Sequence, residues 1–290
     1  MTTEEHFTYT ATDGVEVGAY RWSDDADPLS IVVINHGMGE HSGRYARLAT
    51  SLNAAGHVVY AKDHRGHGRT AASTGGLGDL GAGGWPGLIA DTVELVGLAK
   101  AAHVGLPLFM IGHSMGSFAL QQYLLHHGHE LAGAVLSGTS AIDVISAGID
   151  PEQEVDLSAF NAPFEPARTE YDWLSRDPAE VDAYVADEWC GFGLDAAGAA
   201  SMLASLAEAA DPASLARVPP ELPIYLVSGR DDPLAGEGEL IDLVAGRYRE
   251  AGLTDVTVAI YPEARHEVFN ETNRDEITAA LVAWLDRVRG

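Results

Sequence analysis

The sequence predicts an α/β fold: a mostly parallel β-sheet flanked by helices, with a helical cap inserted into it. First, apolar strand-like runs alternate with segments of helical periodicity, which is the pattern that builds a parallel sheet covered on both faces. Second, one run ends in a glycine-flanked turn that leads into a helix. Third, the alternation stops between residues 140 and 219, in a segment rich in alanine, aspartate, proline and aromatic residues. We therefore predict a core of residues 1–139 and 220–290 and a cap of residues 140–219.

The core elements follow in chain order. Residues 6–22 predict an opening hairpin that turns near Asp13 and Gly14. Buried strands are expected where short runs are rich in β-branched or aromatic residues: 30–35, 57–62, 108–112, 132–137, 223–229 and 256–261. Helices are expected after residue 42, from about Trp85 to Ala102, after residue 114 and at the end of the chain. In the last helix, Asn273 and Glu276 have the spacing of a capping box, so each side chain should accept from the other residue's backbone.

The segment predicted as a cap contains more aromatic side chains than a polar loop needs. It follows the strand after the glycine-flanked turn, so it should overhang that turn and enclose an apolar pocket. A small helix from Asp195 to Ala210 could lie over the pocket as a lid. Phe160, Phe164 and Trp189 are therefore candidate substrate contacts. The alternative is that the aromatic residues form a small core of the cap itself.

The turn itself has the pattern G-x-S-x-G, over Gly112, His113, Ser114, Met115 and Gly116. A strand that turns sharply into a helix strains the residue at the turn, and small residues two positions away let the backbones pass. The turn residue is a serine, whose oxygen would stand clear of the sheet beside the free N–H groups of a helix N-terminus. The pattern predicts a nucleophilic serine with an oxyanion site next to it.

A serine nucleophile needs a base and a carboxylate that orients the base. The expected order along the chain is serine, acid, histidine. Asp231 and Asp232 follow the predicted strand 223–229, and His266 lies in a loop after strand 256–261. Because the carboxyl ends of parallel strands meet at one edge, these side chains should lie near Ser114. The spacing alone leaves the choice between the two aspartates open.

Three segments carry a resemblance to a known family: residues 36–45 (HGMGEHSGRY), 63–69 (DHRGHGR) and 112–116 (GHSMG). They resemble the monoacylglycerol lipase and lysophospholipase branch of the α/β-hydrolases, which is also described as serine aminopeptidase-type. The resemblance implies the α/β-hydrolase fold and selects Asp232 as the acid. It places the oxyanion hole at the backbone N–H groups of Met38 and Met115. Gly37, the residue before Met38, is a further candidate substrate contact.

The predicted function is hydrolysis of carboxylic esters through an acyl-enzyme on Ser114, with monoacylglycerol or lysophospholipid-like substrates favoured by the resemblance. This chemistry needs no cofactor. The same triad could serve a broad carboxylesterase, a thioesterase or an amidase or peptidase, because the fold does not set the leaving group. A binding protein that has lost catalysis is the alternative from another class, and the intact Ser, Asp and His set argues against it.

Other motifs are weaker. Residues 76–81 match G-x-G-x-x-G, but they follow a loop rich in serine, threonine and glycine rather than a strand, which argues against a dinucleotide site. The twelve histidines include no H-E-x-x-H pair, so no metal site is expected. Cys190 is the single cysteine, which excludes an internal disulfide.

Composition limits the partners. The formal net charge of -26 should repel nucleic acids and anionic membranes. The first residues lack the basic and apolar regions of a signal peptide, and no apolar run approaches the ~20 residues of a transmembrane helix. We expect a cytoplasmic enzyme that acts on a small ester or lipid. Transient contact with a membrane or micelle and the oligomeric state stay open.

Overall fold

The computed structural model describes residues 2–146 and 152–290. In these residues, eight strands form one sheet in the order β1-β2-β4-β3-β5-β6-β7-β8. The strands are β1 (Thr3–Thr10), β2 (Glu16–Ser23), β3 (Ser30–Asn35), β4 (His57–Lys62), β5 (Leu108–His113), β6 (Gly133–Ser137), β7 (Ile224–Gly229) and β8 (Val256–Tyr261). β2 pairs antiparallel with β1 and β4, and all other neighbours are parallel. The predicted mostly parallel sheet is confirmed, with the opening hairpin at one edge.

Five longer helices belong to the alternating part of the chain: α1 (Ala46–Ala54), α2 (Gly84–Ala102), α3 (Met115–His127), α8 (Glu239–Glu250) and α9 (Arg274–Arg289). Four more lie between β6 and β7: α4 (Ile142–Ile145), α5 (Pro178–Ala186), α6 (Ala196–Leu206) and α7 (Pro212–Leu215). The helix predicted from residue 195 to residue 210 is α6, followed by a 3-10 turn at Ala207–Ala210. The boundaries 140–219 of the cap stay a prediction, and its residues 147–151 lie outside the described residues.

The strands β3 to β7 are buried because successive side chains point to opposite faces and apolar side chains of the helices cover each face. On β3, Ile31 and Val33 pack in a cluster with α2, α3 and α8. Val32 and Ile34 pack in a second cluster with α1 and α9. A third apolar cluster joins α3 to the helices between β6 and β7. The first two clusters fix the sheet, and the third lies where its parallel strands end.

The predicted capping box at the start of α9 does not form. The Asn273 side chain makes no capping hydrogen bond. Its amide nitrogen instead lies 3.4 Å from the Glu276 carboxylate, and its carbonyl oxygen accepts from the Arg176 guanidinium at 3.0 Å. The prediction was wrong because Arg176, distant in sequence, competes for the asparagine oxygen.

Across the described ranges, no helix is both long enough and apolar enough to cross a lipid bilayer.

Candidate active site

Ser114 lies at the junction of β5 and α3 in a strained conformation. Its φ is 51° and its ψ is -122°, a region that costs a residue with a side chain about 1–3 kcal/mol. Both flanking glycines are required by close contacts. A Cβ on Gly112 would lie 2.4 Å from the Gly116 carbonyl oxygen, and one on Gly116 would lie 2.2 Å from the Asn35 oxygen. The G-x-S-x-G spacing therefore reflects a backbone crossing that leaves no room for a methyl group.

The backbone around Ser114 offers hydrogen-bond donors. Met115 is the first residue of α3, where N–H groups have no partner within the helix. Met38 follows β3, whose end pairs beside Gly112. Met38 and Met115 line one cavity together with Ser114, Gly37 and His266. The loop after β3 and the start of α3, which follow neighbouring strands, thus come together at Ser114.

His266 is held by Asp232. Its Nδ1 lies 2.9 Å from Asp232 Oδ2, while the other carboxylate oxygen accepts from the Leu234 N–H at 2.9 Å. Because an ionised carboxylate only accepts, Nδ1 carries the hydrogen and Nε2 presents a lone pair. Among the residues described, Nε2 has no hydrogen-bond partner although it is buried. Asp231 is exposed, so of the two candidate acids the structure brings only Asp232 to the histidine.

The charges around His266 favour its protonated form. Burial, the largest influence, lowers the pKa of His266, but the charge and hydrogen bond of Asp232 outweigh it and raise the pKa above the usual 6.5. His113, whose ring lies 4.7 Å from that of His266, behaves in the opposite way. Burial, and then the nearby His266, lower the pKa of His113 to about 4. His266 is therefore the histidine suited to take a proton here, and His113 stays neutral.

A mainly apolar cavity, open to solvent at its mouth, lies beside Ser114. Its apolar lining comes from α3, the residues between β6 and β7, and the loop after β7: Phe118, Ile142, Ile145, Val155, Leu157, Phe160, Trp173, Leu174, Tyr184, Met202 and Leu234. The polar residues of the lining include Glu40 and Glu267 together with Ser114 and His266. The cavity thus combines one reactive polar end with apolar walls.

The three cap aromatics singled out in the sequence have different positions. Phe160 lines the cavity and packs on Trp173, with ring centroids 5.1 Å apart. Phe164 lies under the Arg265 guanidinium at 4.3 Å, and Trp189 meets the His41 ring edge-on at 5.3 Å. Within the described residues, neither of these two lines the cavity. Their rings pack against side chains of the predicted core instead. The aromatic content of the segment does not predict which rings line the cavity.

Sequence reasoning missed Trp173 and Met202 as individual lining residues. The Trp173 ring lies 4.8 Å from the His266 ring, and Met202 is buried on the inner side of α6. Trp173 was part of the aromatic set in the cap, and Met202 part of an apolar helix, so the signal was composition alone. Which of these aromatic and apolar residues face Ser114 depends on how the helices between β6 and β7 pack on the rest of the protein.

A buried ion cluster joins the loop of Met38 to the loop of His266. Arg44 donates to Glu40 at 2.6 Å and to Glu267 at 2.6 and 2.8 Å. Glu40 also accepts from the Tyr45 hydroxyl and from the Gly37 N–H. Burial raises the pKa of both carboxyls, but the Arg44 charge outweighs it and leaves each pKa lowered. Two ionised carboxylates and one guanidinium leave one net negative charge beside the cavity.

His41, Asp187 and Cys190 place three possible metal-ligand atoms within 4.8 Å of one another. Both nitrogens of His41 are already engaged. Nδ1 accepts from the Gly43 N–H at 3.2 Å, so Nε2 carries the hydrogen and donates to Asp187 at 2.9 Å. Burial raises the pKa of the Cys190 thiol, which keeps it protonated and a weak ligand. The cluster fits a hydrogen-bonded contact between the predicted core and the predicted cap better than a metal site.

Comparison with known proteins agrees with this geometry. A family model described as "Serine aminopeptidase, S33" matches residues 26–273. A monoacylglycerol lipase of Mycolicibacterium smegmatis is 34% identical over 286 residues, 98% of this chain and 97% of that protein. The human monoglyceride lipase is 28% identical, over 90% of this chain and 86% of its own. A thermostable carboxyl esterase from Bacillus coagulans, solved with glycerol, is 29% identical, with a TM-score of 0.88 and full coverage of both chains.

The sheet order, the flanking helices and these matches define an α/β-hydrolase, which confirms the predicted fold class. The chain belongs to the serine aminopeptidase S33 family. The predicted resemblance to the monoacylglycerol lipase branch is confirmed, and with it the prediction of a carboxylic ester hydrolase.

Proposed function

We propose that this enzyme hydrolyses uncharged lipid esters of the monoacylglycerol type through an acyl-enzyme on Ser114. The observation that carries the proposal is the pair of His266 and Asp232, with the free Nε2 of His266 and Ser114 on the same apolar cavity. An orienting acid, a base with an available lone pair and a nucleophile at a strained turn form the minimal set for acyl transfer.

The proposed reaction has two halves. His266 Nε2 takes the Ser114 proton as the oxygen attacks the ester carbonyl, and the N–H groups of Met38 and Met115 bind the tetrahedral oxyanion. The imidazolium then protonates the leaving alcohol, and the C–O bond to the alcohol breaks. In the second half, His266 takes a proton from water, the resulting hydroxide attacks the acyl-enzyme, and Ser114 recovers its proton as the fatty acid leaves. Asp232 stabilises the imidazolium in both halves.

The choice of an uncharged alcohol follows from the charges at the polar end of the cavity. Arg44 compensates only one of the carboxylates of Glu40 and Glu267, both of which line the cavity. A phosphate-bearing head group would meet this net negative charge in a partly desolvated site, whereas a glycerol hydroxyl can donate hydrogen bonds to it. We therefore favour monoacylglycerol over lysophospholipid. Glyceryl and lysophospholipid esters of one acyl chain, assayed side by side with thioester and amide analogues, test the choice.

Acyl-chain length should control the rate. Each methylene buried against the cavity wall is expected to contribute up to ~0.8 kcal/mol, about fourfold in kcat/KM, until the cavity is filled. The measurement is kcat/KM for a series of glyceryl or p-nitrophenyl esters from acetyl upward. Met202→Ala shortens a buried wall residue and should reduce the gain for long chains while sparing the acetyl ester.

Phe164→Ala is the matched control for the chain-length series, because Phe164 lies against Arg265 rather than on the cavity. It should leave the series unchanged. A flat profile in the native protein would contradict a lipid substrate and favour a small-ester or amide hydrolase.

Activity should be lost on the acid side as His266 becomes protonated. Burial lowers the pKa of His266, whereas Asp232 raises it, with smaller upward contributions from Glu267 and Glu40. The resulting pKa lies above 6.5. His113, with a pKa of about 4, adds no charge above that pH. The acid limb of kcat/KM for a soluble short ester should therefore have its midpoint above 6.5, because the base must be neutral. A midpoint below 6.5 while the protein stays folded would overturn His266 as the base.

A further inference from the structure

The loop that carries the catalytic histidine, residues 262–273, is bonded directly to a short stretch of the predicted cap, residues 172–176. We call these the histidine loop and the cap strap. The backbone N–H of His266 donates to the Trp173 oxygen at 3.3 Å, and that of Glu267 donates to the Leu174 oxygen at 2.8 Å. The Trp173 ring also packs on the His266 ring. Part of the predicted cap thus packs directly against the catalytic histidine.

A fully buried carboxylate, Glu271, joins the two segments. Its Oε1 accepts from the Arg265 N–H at 2.8 Å and from the Arg176 N–H at 3.1 Å. Its Oε2 accepts from Arg176 Nε at 2.9 Å and from the Thr272 N–H at 2.9 Å. One carboxylate therefore binds the residue immediately before His266 and the last residue of the cap strap.

Two further contacts close the same junction. The Ser175 hydroxyl donates to the Asn270 carbonyl at 2.8 Å. The Arg265 guanidinium donates to the carbonyl oxygens of Asp172 and Ser175. Because a buried ion pair often gives no more stability than apolar residues of similar size, stability alone does not explain a charged group here. The directional hydrogen bonds from Glu271 to N–H groups of the histidine loop and of the cap strap do explain the buried charge, because they fix the position of one segment relative to the other.

We propose that Glu271 is a positioning residue for His266, which clamps the histidine loop to the cap strap so that the strap stays docked during turnover. This inference rests on the proposed function of His266 as the general base. Movement of the cap to admit substrate would then occur in its other segments, while residues 172–176 hold the imidazole in line with Ser114 and Asp232.

The first test is Glu271→Gln, which keeps the shape but directs an NH₂ group at N–H donors. We expect kcat for a soluble short ester to fall roughly 10- to 100-fold, as for a small misplacement of a catalytic group, with KM within about twofold. The rate at which a small organophosphonate labels Ser114 should fall in parallel, because labelling needs the same base. A purely structural role would lower the unfolding temperature and leave both rates of the folded protein unchanged.

Glu263→Gln is the matched control. Glu263 is the other carboxylate beside Arg176 in this loop, 3.7 Å from its guanidinium, and its side chain is 83% exposed. The same chemical change there should leave kcat and labelling at the native level. A loss equal to that of Glu271→Gln would overturn the proposal, since it would place the effect in the charge of Arg176 rather than in the clamp.

Arg176→Gln decides the matter if Glu271→Gln does not fold. The substitution removes the bond from the half-buried Arg176 Nε, one of the two bonds from the cap strap, while Glu271 keeps the N–H groups of residue 176, Arg265 and Thr272. We expect a smaller fall in kcat with KM unchanged, and a kcat and labelling rate at the native level would overturn the part of the proposal that assigns the Arg176 side chain to the clamp. Native protein that hydrolyses no ester would contradict the proposed function instead, so the two failures are distinguishable.

Discussion

Replacement of Ser114 by alanine is expected to abolish ester hydrolysis, with a fall in kcat on the order of 10⁶-fold, as when a triad nucleophile is removed. The change deletes one hydroxyl, and the side-chain oxygen of Ser114 makes no capping hydrogen bond to α3. The elbow keeps its glycines and its backbone bond from Ser114 N–H to the Ser137 oxygen at 2.9 Å. The variant should therefore fold like the native protein and still bind the ester.

The measurement is kcat for a short and a long ester, with circular dichroism as the test of folding. Ser205→Ala is a control, because the Ser205 hydroxyl donates only to the Ser201 carbonyl one turn earlier in α6. It should keep native activity. Substantial hydrolysis by Ser114→Ala would show that another group carries the reaction, and the proposed acyl-enzyme would have to be abandoned.

The sheet could be predicted from sequence because each strand is encoded by the residues of the strand itself. Each parallel strand is a short run of β-branched and aromatic residues, and burial on both faces makes such runs apolar throughout. The elbow was equally visible, since Gly112 and Gly116 are dictated by contacts of less than 3 Å that any such turn would make. In both cases the constraint acts between residues that are close in the chain or on neighbouring strands.

The position of the acid could not be derived from spacing. Asp231 and Asp232 both follow β7, and either could reach the same edge of the sheet. The structure separates them by burial: Asp231 is exposed, whereas Asp232 is 2% exposed and hydrogen-bonded to a histidine 34 residues further along. The resemblance to a family supplied what the local pattern could not.

The predicted cap and its contacts with the core were the least predictable part, because the side chains there pair with residues far away in sequence. Phe164 and Trp189 pair with Arg265 and His41, and Asn273 gives its oxygen to Arg176 instead of capping α9. Nothing local distinguishes these residues from Phe160, which does line the cavity. Glu271 has no local signal either, since a glutamate in a loop before a helix is usually solvated. Only the packing of residues 172–176 against the loop of His266 makes it a buried acceptor.

The packing of the predicted cap on the core also determines which substitutions should change the substrate specificity of the site. The proposed triad and oxyanion donors lie at strand ends, so the sheet fixes their positions, whereas most of the apolar wall of the cavity comes from α3 and the residues between β6 and β7. The cap strap belongs to both groups, because it carries Trp173 of the wall and bonds the backbone of His266. Changes in α6 should therefore alter chain-length preference alone, and changes in the strap should alter the rate for every ester.

Asp232→Asn should cost on the order of 10⁴-fold in kcat while Asp231→Asn stays within about twofold of native. An asparagine at 232 can turn its NH₂ toward His266 Nδ1 and keep its oxygen on the Leu234 N–H, which now lies 2.9 Å from Asp232 Oδ1. That arrangement favours the tautomer with hydrogen on Nε2, which cannot accept the Ser114 proton. The loss should therefore appear in kcat, with KM little changed and the fold intact.

Asp231→Asn is a closely matched control, because it makes the same change one residue earlier on an exposed side chain. Its backbone N–H bond to the Ala264 oxygen at 3.0 Å is untouched by the substitution. Steady-state kinetics of both variants on one soluble ester, with labelling of Ser114 by an organophosphonate as a second measure, rank the two aspartates. If Asp231→Asn were the more impaired, the orienting acid would be one residue away from the contact seen in the structure. The hydrogen bond between Asp232 and His266 would then have no part in the chemistry.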